Sequence, residues 1–403
     1  MSVAKIALVG CGNPARRWHL PTLAELAKRG AIDFVALCDL DETLAAESGA
    51  KYGVPHYTDI DEMLDRHGDI MAVDIVTGDP THHVIARQIA ERGKHVMVEK
   101  PMAMTRGCCD VIVDACRENG VHFEVAENYF RMPKQRAIIN LIEQGVLGDI
   151  VRVYYVEEKA RNPFEPKATH RGLTRPLSKF GNSSGMCMDM GAHRLSQLRL
   201  FAQSEPRQIS GTVRRYRSSS EFVHEDWAHA MIDFESGAVG VYETSRLGES
   251  LHYYQVTGTR GSICDDDWRG RRIPLRLQAA DGMRDVAVEF EHHRVDGVDV
   301  ISRIVAQTDP EIVYVNPFRE YAIDDWCVGH ADEIMSLANA ALTGEPPEYG
   351  LAGRKDVEMA MAIYESSLTG TAPVRLPIEG MTSYERMLHE DYHARFGRAY
   401  DAA

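Results

Sequence analysis

Short apolar runs alternate with amphipathic stretches over the first 125 residues. Residues 5–10, Lys5-Ile6-Ala7-Leu8-Val9-Gly10, predict a strand that enters a turn and then a helix reaching Leu26. Similar runs at 34–38, 71–76, 95–98 and 121–125 predict four more strands, and the stretches 45–51, 61–66, 81–91 and 105–119 predict helices between them. Strands that are continuously apolar, separated by helices, belong to a parallel sheet covered on both faces. The fold class expected for residues 1–125 is therefore α/β, a doubly wound parallel sheet of the dinucleotide-binding kind.

Beyond residue 125 the pattern changes. Strands are predicted at 149–158, 208–216, 229–234, 238–244 and 286–291, with Glu235-Ser236-Gly237 as a hairpin turn. Two late helices, 322–342 and 351–368, flank the break Gly344-Glu345-Pro346-Pro347. Residues 126–403 are thus expected to form an α+β unit around a large open, mainly antiparallel sheet.

Composition narrows the functions. The 403 residues are 44% hydrophobic and 26% charged, as in ordinary globular chains. Forty-five Lys and Arg against sixty Asp and Glu leave a net charge of −15, which argues against a nucleic-acid partner. No apolar stretch approaches the 18 or so residues that span a bilayer, and no secretory signal opens the chain, so no membrane partner and a cytoplasmic location are expected. Eight cysteines without a C-x-x-C pair read as reduced structural thiols.

The first strand runs into Gly10-Cys11-Gly12-Asn13-Pro14-Ala15, a G-x-G-x-x-A turn opening a helix. The first glycine makes the tight turn, the second admits a pyrophosphate, and the small third residue lets helix and strand pack closely. Asp39 ends the second strand, placed to bind a ribose 2′-hydroxyl and to repel a 2′-phosphate. No Arg or Lys follows in Leu40-Asp41-Glu42-Thr43, so NAD is expected and NADP disfavoured.

Further motifs follow: Thr77-Gly78 with His82, then Gly93-Lys94-His95-Val96-Met97-Val98-Glu99-Lys100-Pro101, then Gly185-Met186-Cys187-Met188-Asp189-Met190-Gly191-Ala192-His193. With the glycine turn, these resemble the Gfo/Idh/MocA oxidoreductases, the family of glucose-fructose oxidoreductase and inositol 2-dehydrogenase. The resemblance implies an oxidoreductase acting on a hydroxyl of a sugar, cyclitol or related polyol. It adds Thr77, Gly78, His82, Glu99 and Lys100 to Gly10, Cys11, Gly12, Asn13, Pro14 and Asp39 as cofactor-site residues, and makes Lys100, Asp189 and His193 the catalytic candidates. Two segments depart from the family pattern: Asn182-Ser183-Ser184-Gly185 replaces a glycine-rich run, and Thr77-Gly78-Asp79-Pro80 replaces the usual Pro-Asn loop.

Removing a hydride from a carbinol requires a base within about 3 Å of its hydroxyl. Lys100 is the expected base, its neutral form favoured by burial and by the positive nicotinamide. Asp189 and His193, four residues apart, are expected on one helix face, His193 at the reacting oxygen and Asp189 on a neighbouring hydroxyl. The pair lacks a third ligand nearby in sequence, so no metal is expected. Tyr129 is a candidate at the pocket mouth beside Asn128, and Arg171 and Arg175, in a basic stretch at 159–182, are candidates for an anionic group on the substrate. A homodimer or homotetramer is expected by resemblance, the apolar outer face around Val239-Gly240-Val241-Tyr242 being available for burial. Alternatives are a redox-assisted glycosidase or lyase that retains NAD, an aromatic dihydrodiol dehydrogenase, and a catalytically silent dinucleotide sensor.

Overall fold

The computed structural model describes residues 3–158, 185–216, 225–248 and 250–401. Its first layer is built from β1 (Ala4–Val9), α1 (Leu20–Lys28), β2 (Ile32–Cys38), α2 (Glu42–Tyr52), β3 (His56–Tyr57), α3 (Ile60–Arg66), β4 (Ala72–Ile75), α4 (His82–Glu91), β5 (His95–Glu99), α5 (Arg106–Glu118) and β6 (Phe123–Ala126). The six strands form one sheet in the order β3-β2-β1-β4-β5-β6, every pair parallel. The α/β expectation holds. A single π-helical turn, Ala15–His19, precedes α1 and was not anticipated; it turns the imidazole of His19 into the protein.

The second layer follows through α6 (Pro133–Glu143), β7 (Ile150–Glu158), α7 (Met186–Asp189), α8 (Gly191–Ala202), β8 (Pro206–Arg214), β9 (Trp227–Phe234), β10 (Val239–Ser245), β11 (Leu251–Gly258), β12 (Gly261–Asp265), β13 (Leu275–Ala279) and β14 (Gly282–Val286). A hairpin and a short third strand, β15 (Val288–Val295), β16 (Val298–Ala306) and β17 (Ile312–Val315), make a separate sheet. The chain closes with α9 (Asp325–Thr343), α10 (Gly350–Leu368), β18 (Val374–Arg375) and α11 (Ser383–Phe396). The large sheet has nine strands in the order β14-β13-β12-β11-β7-β10-β9-β8-β18, antiparallel throughout except for β7 beside β10. The strand expected at 286–291 is divided: β14 ends at Val286 in the large sheet and β15 starts at Val288 in the small one.

α9 does not pack on the large sheet. It lies across β1, β4, β5 and β6, contributing Val328, Ala331, Ile334 and Leu337 to the core on that face. The approach is close: a Cβ on Gly329 would lie 2.4 Å from the carbonyl oxygen of Asn128, so only glycine fits where α9 crosses the end of β6. α8 and α10 instead cover the inner face of the large sheet, against β7 and β8. All eight cysteines are unpaired. Among the described residues no helix is long and apolar enough to cross a membrane.

Candidate active site

The carboxyl ends of β1, β2, β4 and β5 gather the motif residues along one edge of the parallel sheet, where doubly wound folds bind ligands. Gly10 has φ +100°, and a Cβ there would lie 2.5 Å from the Val76 carbonyl oxygen, so the turn requires glycine. At Gly12 the nearest atom to such a Cβ is 3.9 Å away, so the space beside it is not filled by protein. That space lies at the start of the next helical turn, beside exposed Asn13, whose amide N–H is available, and half-buried Pro14, which has none. It suits phosphate. Asp39 accepts from the amides of Cys11 at 2.6 Å and Asp41 at 2.8 Å, which fixes its carboxylate beside the turn. Backbone room for a pyrophosphate and a carboxylate for a ribose diol together fit NAD. Cys11 acts here through its amide, since burial, followed by the field of Asp39, pushes its thiol up to about 12.

Thr77 and Gly78 form the loop beyond β4, where the Thr77 and Thr81 hydroxyls are 2.8 Å apart and Thr81 also bonds the Gly78 carbonyl. His82 is wholly buried, with Nδ1 3.1 Å from the Pro101 carbonyl oxygen and Nε2 3.4 Å from that of Thr77. Its ring, expected at the cofactor, is a buried strut between the loops after β4 and β5.

Lys100 leaves β5 through a cis peptide to Pro101. Its Nζ donates to the Asp189 carboxylate at 2.9 Å and to the Asp189 carbonyl at 3.0 Å. Burial disfavours its charge, but the carboxylates of Asp189 and Glu99 outweigh burial and hold the ammonium well above the ordinary lysine range. These two acids, both singled out in sequence, oppose the neutral amine expected there. The second Asp189 oxygen accepts from Arg246 at 3.1 Å, so Asp189 bridges Lys100 of the first layer and the end of β10.

Asp189 and His193 do not share one uninterrupted helix. Asp189 ends the single turn α7, and His193 lies in the first turn of α8, separated by Met190 in helical conformation. Glu225 caps α7, accepting from the Cys187 amide at 3.0 Å and from the Tyr364 hydroxyl at 2.6 Å. A Cβ on Gly185 would overlap that carboxylate at 2.0 Å, which explains the glycine at this point. Burial pushes Glu225 above the usual carboxylate range.

His193 is buried, with Nδ1 2.9 and 2.8 Å from the two oxygens of Glu127. Burial drives Glu127 well above its ordinary range. Tyr129 stacks face to face on His193, centroids 3.5 Å apart and planes 3° apart. Tyr129, the candidate for the pocket mouth, is packed among His193, Trp268 and Trp326, with the Arg194 guanidinium 4.6 Å from its centroid. Arg194 is itself buried and paired with Glu157 at 2.7 Å. Arg171 and Arg175 lie outside the described residues.

Sequence reasoning missed Glu127, Arg246, Glu225 and the set beneath Lys100: His19, Asp74, His330 and Glu333. Two of these carried a signal. Asp74 stands inside the apolar run 71–76, and an acid in the middle of a buried parallel strand demands a partner. Glu127 lies two residues before Tyr129 in Ala126-Glu127-Asn128-Tyr129, directly after a buried strand. His19, His330 and Glu333 have the spacing of a metal group, but both nitrogens of His19 are engaged by the carboxylates of Asp74 and Glu99.

Residues 4–127 match the oxidoreductase family with an NAD-binding Rossmann fold, and residues 136–264 match the GFO/IDH/MocA C-terminal domain. The chain belongs to the Gfo/Idh/MocA oxidoreductase family. It is 29% identical to levoglucosan dehydrogenase from Pseudarthrobacter phenanthrenivorans over 252 residues, 56% of this chain and 63% of that protein, so the match spans less than two thirds of the relative's length. It is 28% identical to D-apiose dehydrogenase from Paraburkholderia graminis over 70% of this chain and 71% of that one. Among solved structures, levoglucosan dehydrogenase with NADH and levoglucosan has the same fold, with a TM-score of 0.74 and 22% identity, covering 93% of this chain and 99% of the other.

Proposed function

We propose that this protein is an NAD-dependent dehydrogenase that moves a hydride between nicotinamide and a hydroxyl-bearing carbon of a sugar, sugar acid, glycoside or cyclitol. The observation that carries the reading is Lys100, held at the carboxyl edge of the parallel sheet by Asp189 from the opposite layer, with His193 four residues further along. The family membership and the sugar dehydrogenases among its relatives support the substrate class.

Bound NAD supplies the hydride acceptor, and the protein's residues handle the proton and the orientation. Gly10, Gly12 and Asp39 hold the dinucleotide. Lys100 exchanges a proton with the substrate oxygen at Nζ, acting as acid when a ketone is reduced and as base when an alcohol is oxidised. Asp189 keeps Nζ in place and reaches a neighbouring hydroxyl. His193 meets the reacting oxygen through Nε2, because Nδ1 is committed to Glu127, and Tyr129 fixes the plane of the imidazole.

A screen of polyols, sugars, glycosides and sugar acids with NAD, read by nicotinamide absorbance, tests the reading. At least one class is expected to turn over, with strong preference for NAD over NADP. Absence of turnover with every class, or equal use of the two cofactors, contradicts it.

A further inference from the structure

Beneath Lys100 lies a buried ionic set that the proposed chemistry does not use. His19, fully buried at the end of the π-helical turn, has Nδ1 2.8 Å from the Asp74 carboxylate on β4 and Nε2 3.0 Å from the Glu99 carboxylate on β5. Glu99 is the residue before Lys100, and each acts electrostatically on the other. α9 supplies the remaining wall: the ring of His330 lies 4.8 Å from that of His19, and His330 Nδ1 is 2.8 Å from Glu333. Across the cleft the order of charge continues from Lys100 to Asp189 to Arg246. The line reads Asp74, His19, Glu99, Lys100, Asp189, Arg246, alternating acid and base from the core of one layer to the end of a strand in the other.

Resting on the assignment of Lys100 as the acid/base group, we propose that His19 is a positioning residue for that lysine: clamped between Asp74 and Glu99, it fixes the Glu99 carboxylate next to the amine and offsets part of its negative field. Without it, Glu99 acts on Lys100 undiminished and the lysine gives up its proton less readily. The groups that face His19 are Asp74 and Glu99 from the sheet, and His330 and Glu333 from α9. His330 is held neutral, its pKa lowered to about 3 by burial and then by His19, so the positive charge of this cluster resides on His19. Burial opposes that charge on His19, yet Asp74 and Glu99 together raise its pKa well above the ordinary histidine range.

The test compares the pH dependence of alcohol oxidation in the wild type, His19→Gln, Glu99→Gln and Lys100→Met, with 15N imidazole spectra of the cofactor-free proteins. In the wild type one imidazolium signal is expected to persist at pH 8.5, and to be absent from His19→Gln. His19→Gln should move the acid limb of kcat upward by about one pH unit, a roughly fivefold loss at the wild-type midpoint that approaches tenfold below it and is recovered at higher pH. Glu99→Gln should move the limb downward, and it keeps the proposal testable should His19→Gln fold poorly. A limb unmoved or moved in the opposite sense by either variant overturns the inference, as does a neutral His19 in the spectra. Full turnover in Lys100→Met instead removes the acid/base assignment itself, which separates the two failures.

Discussion

At the scale of single residues, the site is governed by which carboxylates face which cations. Burial alone would strip Lys100 of its charge, but Asp189 pins it and Glu99 biases it, so its charge is decided by neighbours. Asp39 is set by two backbone amides and needs no side-chain partner to hold its place. Replacing Asp39 with alanine removes the ribose acceptor, and KM for NAD should rise about tenfold, the scale of one charge-assisted hydrogen bond, while the discrimination against NADP falls. Steady-state kinetics with both cofactors check this; an unchanged KM for NAD contradicts the placement. The glycines and Asp39 were legible in the sequence because their requirements are local: a positive φ, an open approach, a carboxylate at a strand end. The charge state of Lys100 was not legible, because it depends on Asp189, which lies 89 residues away in sequence.

At the scale of elements, α7 matters beyond its single turn. Its N-terminus is capped by Glu225, two residues before β9, and its last residue is Asp189. Gly185→Ala would put a methyl group into the Glu225 carboxylate and force it off the cap. A stability loss of about 1–3 kcal/mol is expected, the range for overpacking a buried contact, together with a fall in kcat as Asp189 leaves its position on Lys100. Thermal melts and kinetics of Gly185→Ala beside Gly185→Ser check it, and wild-type behaviour in both removes Glu225 from its role. Five of the six strands of the parallel sheet could be read from their apolar runs, each within a few residues of its observed bounds; β3, two residues long and without an apolar run, could not. Several strands of the large sheet could not. Residues 251–258, Leu251-His252-Tyr253-Tyr254-Gln255-Val256-Thr257-Gly258, mix polar and apolar side chains on both faces, with only Tyr254 and Val256 buried, and such a strand is recognised only once its neighbours β7 and β12 are known.

At the scale of the whole molecule, elements distant in sequence close over the parallel sheet. α9 covers one face, and residues 383–401 cover α4 and α5, where Arg106 pairs with Glu385 at 2.7 Å and Tyr400 is fully buried. His83 donates from Nε2 to the Tyr400 carbonyl at 2.8 Å, and burial lowers its pKa to about 4. A histidine depressed on folding contributes stability that is complete above about 6.5 and is lost as pH falls through about 4. Tm is therefore expected to drop across that window in the wild type and to drop less in His83→Gln, measured by calorimetry; equal drops would show that His83 is not a source of the acid sensitivity. This closure explains why the sequence could suggest two units but not which helices cover which sheet: α9 is amphipathic in its own right, and its destination is fixed by the close approach of Gly329 to β6.

The proposed chemistry turns on the proton held at Lys100. The most direct measurement is the rate of NADH formation from the best substrate, over a range of pH, in the wild type and in Lys100→Met. The wild type should show oxidation rising with pH along a single acid limb, and Lys100→Met should lose at least about a hundredfold in kcat at every pH while still binding NAD. A variant that keeps its turnover, or keeps the same acid limb, would contradict the assignment.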